Sequence, residues 1–119
     1  MALTPLPTPQ PPRRQGDDRV MFQRTELDQI LRVYGMMVAG GEWRDYAIDG
    51  LKDRAEFAIF RNAAEVPIYR IVKTPADARK QGAWKVVAPG GAILKRGHEL
   101  GNVLKVFDNQ LKKLSWSGL

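Results

Sequence analysis

Two stretches of the chain carry apolar residues three or four positions apart, the spacing of an amphipathic helix. The first stretch begins at Thr25, which forms a variant of the capping box with Asp28, and it ends before Gly40-Gly41. The second covers residues 100–114, with an acidic residue near its start and lysines near its end, as the helix dipole favours. The pattern therefore predicts one helix on each side of a central region.

The central region contains short runs rich in β-branched and aromatic residues, which predict strands at 43–48, 55–61, 66–73, 83–88 and 92–96. Asp49-Gly50 and Pro89-Gly90-Gly91 are typical of turns, and Thr74-Pro75 indicates a short helical turn. Because short connections favour pairing between successive strands, the prediction is an α+β fold. It has an N-terminal helix, a four- to five-stranded antiparallel meander and a C-terminal helix, with both helices on one face of the sheet.

Residues 1–18 are predicted to be a disordered Pro-rich tail because they hold five prolines and little to bury. Pro9 and Pro12 have the spacing of ligands for aromatic-lined grooves, but such spacings arise easily in a proline-rich segment and we favour a solvated leader. Residues 19–119 are predicted to be a single α+β domain. Its predicted core consists of Leu27, Ile30, Leu31, Tyr34, Phe57, Ile59, Tyr69, Ile71, Trp84, Val86, Leu100, Leu104, Phe107 and Leu111.

Composition excludes several classes of chemistry. The sequence has no cysteine, which excludes disulfides, thiolate metal sites and thiol nucleophiles, and His98 is its only histidine. A multi-histidine metal site is therefore excluded, and His98 is expected to cap a helix or lie at the surface. No apolar run approaches the roughly 20 residues that span a bilayer, and prolines replace the apolar core of a signal peptide. We expect a soluble cytoplasmic protein with no membrane partner.

One group of carboxylates could bind a divalent cation or act as an acid/base pair. The spacing of these residues matches no calcium-binding loop, and basic residues interleaved with them favour local neutralisation instead. We therefore predict no metal site, no catalytic residues and no cofactor, and keep an enzyme as the third alternative. The group consists of Glu42, Asp45, Asp49 and Asp53.

Positive charge is concentrated in the second half of the chain. Residues 1–65 hold nine Lys/Arg against ten Asp/Glu, whereas residues 66–119 hold ten against three. Net charges of −1 and +7 give the total of +6. Such an asymmetric distribution attracts anions but does not identify them.

Side chains alternate between the faces of a strand, so the basic residues can be assigned to faces. If Tyr69, Trp84 and Leu94 face the helices, then Arg70, Lys85 and Lys95 share the opposite face. An aromatic ring from the second strand joins them, and further cations extend the patch from adjoining loops. The predicted ligand-binding residues are Arg70, Lys85, Lys95, Arg96, Arg79, Lys80 and Phe60.

A basic stripe beside an aromatic ring can contact phosphates and stack a base. The leading functional hypothesis is a non-enzymatic binding module for an anionic ligand such as a nucleic acid. The alternative is a protein-interaction or self-association module that uses the mixed apolar and basic face. A face that is only solvated, with long side chains covering apolar neighbours, also explains the pattern.

Four segments, GEWRDYAID (41–49), EVPIYRI (65–71), ARKQGAW (78–84) and ILKRGHEL (93–100), resemble a family of small alphaproteobacterial proteins known only as a domain of unknown function. The resemblance covers residues 21–114 and implies a bacterial cytoplasmic protein without transferable site residues. The order of elements is also similar to that of double-stranded RNA-binding domains, which place basic residues at the start of their last helix. That similarity makes RNA a ligand worth testing.

Overall fold

The structure is a computed structural model that describes residues 18–61 and 66–117, with side chains as far as residue 112. The elements are α1 (Arg24–Ala39), β1 (Asp45–Gly50), β2 (Ala55–Phe60), β3 (Tyr69–Lys73), β4 (Trp84–Val87), β5 (Ile93–Gly97), α2 (Leu100–Leu104) and α3 (Asp108–Ser117). Single 3-10 turns at Pro75–Asp77 and Pro89–Gly91 precede β4 and β5. The predicted α+β class is confirmed. The predicted tail lies outside the described residues except for Asp18.

The five strands form one antiparallel sheet in the order β1-β2-β3-β4-β5, so each strand pairs with its neighbour in sequence. Alternate residues of β2 and β4 are buried, as expected when one face of a sheet packs against helices. The predicted meander is confirmed, and all five predicted strands form, each shifted by at most a few residues at its ends.

Buried residues of α1, α2 and the 3-10 turn Lys105–Phe107 join those of β2, β3 and β4 in one core cluster. Most of the predicted core is buried, and the rest packs half-buried against it. The predicted core omits three buried members of this cluster, Met37, Trp43 and Val103. Trp43 lies between α1 and β1, where periodicity gives no guide. The Trp43 ring meets the edge of the Phe107 ring at 5.0 Å between centroids and so closes one end of the core.

The helix ends differ from the prediction in two ways. The cap of α1 is Gln23, whose N–H donates to the Glu26 carboxylate at 2.7 Å, so the Thr25 and Asp28 box is wrong. The C-terminal helix is not continuous, because the 3-10 turn Lys105–Phe107 separates α2 from α3. This turn directs the Phe107 side chain into the core.

Gly50 belongs to β1 and not to the predicted turn. The connection to β2 lies at residues 51–54, where the Leu51 N–H donates to the Arg54 carbonyl at 2.8 Å. The segment before α1 crosses β1 here, and a Cβ atom on Gly50 would lie 2.9 Å from the Val20 carbonyl oxygen. Glycine is thus required at position 50 because another backbone segment passes close to it. The Asp-Gly sequence alone does not distinguish such a position from a turn.

Within the described part of the chain, no helix combines the length and the apolar character needed to cross a bilayer.

Candidate functional site

The sheet face that lies away from the helices carries most of the predicted site residues. Directly paired residues of neighbouring antiparallel strands share a face, so strand pairing defines it. Three of the predicted cations lie there, together with several small apolar side chains. We call it the outer face, and it consists of Asp45, Ala47, Asp49, Glu56, Ala58, Phe60, Arg70, Val72, Lys85, Val87, Ile93 and Arg96.

The centre of the outer face is close to neutral. Glu56 accepts a hydrogen bond from Arg54 Nε at 2.7 Å and lies 3.7 Å from Arg70 Nε. The hydrogen bond to Glu56 is the main reason that the pKa of Arg54 is raised above its ordinary value. Arg70 is on the predicted face, as its pairing with Ala58 shows, but it shares the Glu56 carboxylate with Arg54.

Two unbalanced cations face each other across β4 and β5. Lys85 is the direct cross-strand partner of Arg96, so both side chains are on the outer face. Arg96 donates to the neutral Gln81 amide oxygen at 2.7 Å, and among the described residues neither cation is in an ion pair. Like charges directly opposite on one face are unfavourable. This pair is the point on the outer face where an anion would be most stabilised.

The predicted placement of Lys95 is wrong. A β-bulge between Val86 and Val87 makes Lys95 the partner of Val86, whereas Ile93 is the partner of Val87. Val86 is buried on the helix side of the sheet, so Lys95 is on that side too. One inserted residue reverses the alternation beyond it. The bulge therefore exchanges the predicted roles of Lys95 and Arg96.

The loop between Pro75–Asp77 and β4 carries the exposed side chains of Arg79 and Lys80. Gln81 contacts Arg96 as described, and the Ala78 carbonyl oxygen lies 3.1 Å from Nδ1 of His98. The backbone of Gly82 approaches Gly97 too closely for a Cβ atom. These contacts place Arg79 and Lys80 at the same end of the sheet as Arg96, and they place His98 at the surface as predicted.

Phe60 is on the outer face but away from the cation pair. Its cross-strand partner is Asp45, and it lies two strands from β4. It is also four residues along β2 from Glu56, the residue in line with Lys85, or about 13 Å. The structure therefore brings Lys85, Arg96, Arg79 and Lys80 to one end and leaves Phe60 at the other.

The four carboxylates of the acidic group do not converge. Glu42 pairs with Arg61 at 3.4 Å, and Asp53 pairs with Arg54 at 2.9 Å. Among the described residues, no three acidic or histidine side chains are grouped closely enough to hold a metal ion. Asp45 and Asp49 instead lie on the outer face at β1.

The negative charge of β1 also acts on the helix side of the sheet. Tyr34 packs edge-on against Tyr46 of β1 with ring centroids 4.9 Å apart. Burial raises the pKa of the Tyr34 hydroxyl, and the charge of Asp45 adds to the increase. Sequence reasoning did not separate Asp45 and Asp49 from Glu42 and Asp53, because that separation depends on the strand register.

Comparison with known proteins gives a family but no activity. Residues 20–104 match the sequence profile of a family described as "Protein of unknown function (DUF2794)". No curated protein matches the chain significantly, and no solved structure does.

Proposed function

The chain belongs to this family of proteins of unknown function, and we propose that it is a non-enzymatic binding module for an anionic ligand, with nucleic acid as the class to test first. The ligand lies on the outer face at the β4–β5 end. The observation that supports this most directly is the cross-strand pair of Lys85 and Arg96. An anion bridging the two would remove a repulsion that the described residues leave unbalanced.

The surroundings of the pair favour a phosphate backbone over a single small anion. Arg79 and Lys80 extend the positive region from the adjoining loop, so several phosphates could be contacted in succession. The sheet presents an open surface whose side chains are mostly half-buried. Phe60 is too distant to stack a base held by the pair, so we assign it no part in the primary contact.

The proposal also includes a cellular location, the bacterial cytoplasm. The resemblance to small alphaproteobacterial proteins and the absence of cysteine from the sequence support a bacterial cytoplasmic protein. Nucleic acid is abundant there, which is consistent with the proposed ligand.

The test is fluorescence anisotropy with labelled single-stranded RNA, double-stranded RNA and DNA at about 50 and 200 mM salt. Wild-type protein should bind at least one probe at the lower salt concentration and lose affinity by orders of magnitude at the higher. Removing both cations in Lys85→Ala/Arg96→Ala should weaken binding to every sequence. The slope of log affinity against log salt should also fall by about one for each phosphate contact removed.

Lys95→Ala is the matched control. It removes one positive charge from β5, the strand that carries Arg96, but from the opposite side of the sheet. We expect it to keep more affinity than Lys85→Ala or Arg96→Ala. Equal losses in all three would show that only net charge matters, and no binding to any probe at low salt would overturn the proposal.

A further inference from the structure

The outer face carries unbalanced charges of opposite sign at its two edges. Asp45 and Asp49 lie on β1, whereas Lys85 and Arg96 lie on β4 and β5. Among the described residues, none of the four is in an ion pair, and the only hydrogen bond to either aspartate is the Tyr46 N–H on Asp45. The face is therefore negative at one edge and positive at the other.

These charges cannot neutralise one another within one chain. Four strand spacings separate β1 from β5, or about 19 Å, which is well beyond ion-pair distance. The charges between them balance, because the two cations Arg54 and Arg70 are paired with the two carboxylates Asp53 and Glu56. Val72, also central, is only 3% exposed. Each charged edge therefore has residues of opposite charge in the same molecule, but they are too far away to form ion pairs with it.

We infer that the outer face binds the outer face of a second copy of this chain, about a two-fold axis parallel to β3. Rotation about such an axis exchanges β1 with β5, so Asp49 faces Arg96 of the second copy and Arg96 faces its Asp49. The two residues are at matching positions along their strands, since pairing links Asp49 to Arg96 through Glu56, Val72 and Lys85.

Charge also selects this axis from the alternatives. A two-fold axis in the plane of the face but perpendicular to the strands would set β1 over β1, with acid against acid and base against base. The parallel axis gives two identical contacts and a closed dimer, as isologous interfaces do. Arg70 lies near the axis, where its pairing with Glu56 lowers the repulsion between the two copies.

The apolar part of the face is small and fits a weak association. Ala58 and Val87 lie half-buried between the charged edges, whereas Val72 is already covered within the chain. Sheets pack face to face at about 10 Å. Five strands of about five residues cover a flat area of roughly 400 Å², about half of what one partner buries in a standard interface. We therefore expect a reversible dimer that dissociates as salt is raised.

The inference goes beyond the proposed function and does not depend on it. Dimerisation needs Asp49, which anion binding does not, whereas both need Arg96. Because both use the same cations, an anionic ligand and a second copy would compete for the outer face.

The test is sedimentation velocity over a range of protein concentrations at about 50 mM salt. Wild-type protein should show a concentration-dependent dimer. The single inversions Asp49→Arg and Arg96→Asp should each raise the dissociation constant by about tenfold or more, because each sets like charges together twice. The double inversion Asp49→Arg/Arg96→Asp restores opposite charges and keeps the net charge, so it should restore the dimer.

Lys95→Asp is the control for Arg96→Asp, since it makes the same change one residue away on the other side of the sheet. It should leave the dimer largely intact. Circular dichroism verifies that each variant is folded. A wild-type protein that stays monomeric at all concentrations, or a folded double inversion that fails to dimerise, would overturn the inference.

The same variants separate this inference from the proposed function. Asp49→Arg keeps Lys85 and Arg96, so it should still bind RNA or DNA while failing to dimerise. The double inversion should dimerise with weakened nucleic-acid binding. A wild-type dimer without nucleic-acid binding would overturn only the proposed function, and nucleic-acid binding by a strict monomer would overturn only the self-association.

Discussion

At Gly82 two backbone segments come closer together than any side chain would permit. Its φ is +101°, and a Cβ atom built on it would overlap the carbonyl group of Gly97. The Ala83 carbonyl accepts a hydrogen bond from the Thr74 N–H just after β3, and the Ala78 carbonyl contacts His98 just before α2. The loop that carries Arg79 and Lys80 ends at Gly82. A single glycine therefore holds part of the candidate site against the sheet.

Gly82→Ala should be strongly destabilising. The positive φ alone costs about 1–3 kcal/mol for a residue with a side chain, and the overlap with rigid backbone adds to it. Gly35→Ala is the control, because a Cβ atom at Gly35 meets nothing within 4 Å, and alanine should stabilise α1 by about 0.5–1 kcal/mol. Urea denaturation measures both. If the two substitutions changed the free energy of unfolding alike, the close approach at Gly82 would be wrong.

At the scale of elements, Lys73 joins four parts of the structure. Its ammonium group lies 2.7 Å from the Glu26 carboxylate of α1 and donates to the Met21 carbonyl at 3.0 Å. It also lies 5.9 Å from the centre of the Trp84 ring on β4. Because both side chains of the pair are less than one-fifth exposed, water screens this interaction less than a surface ion pair.

Lys73→Ala should lower the free energy of unfolding by about 2 kcal/mol, between the values typical of surface and buried ion pairs. It should also speed hydrogen exchange at Val20, whose N–H donates to the Leu51 carbonyl in the segment that Lys73 fixes. Lys85→Ala removes a lysine without an ion-pair partner in the described structure, so its effect on unfolding should be under about 0.5 kcal/mol. Equal effects of the two substitutions would contradict this role.

The elements themselves were largely predictable, whereas the composition of the outer face was not. Periodicity and turn residues locate α1 and the five strands, because those signals act over a few residues. The bulge beside Val87 depends on how β4 and β5 pair, so counting residues assigned Lys95 to the wrong side. The 3-10 turn at Lys105–Phe107 likewise buries Phe107 in the core. The apolar residues on both sides of it keep helical spacing, so the sequence pattern does not reveal it.

For the whole molecule, the important property is that every strand pairs with its neighbour in sequence. Short loops close each pairing, so the entropy cost of bringing partners together is small. The charges that we assign to dimerisation are the exception, since Asp49 and Arg96 are brought into line only by the complete sheet.

Refolding from urea should therefore be fast for a sheet protein, with the main phase in the millisecond range. Trp43 and Trp84 are both buried, so stopped-flow tryptophan fluorescence should report the formation of the core. A minor slow phase that a prolyl isomerase accelerates would come from proline isomers in the unfolded chain. A main phase slower than about 1 s without such acceleration would contradict the prediction.

The bulge on β5 also bears on aggregation. Among the described residues β5 is the last strand of the sheet and its outer edge is unpaired, with Ile93 and Leu94 44% and 45% exposed. Such an edge is a template for the ordered stacking of strands that produces fibrils. The bulge opposite β4 twists the edge and interrupts its regular repeat, and Lys95 adds a charge beside the two apolar residues. The bulge that places Lys95 away from the outer face therefore also makes the β5 edge a poorer template for fibril growth.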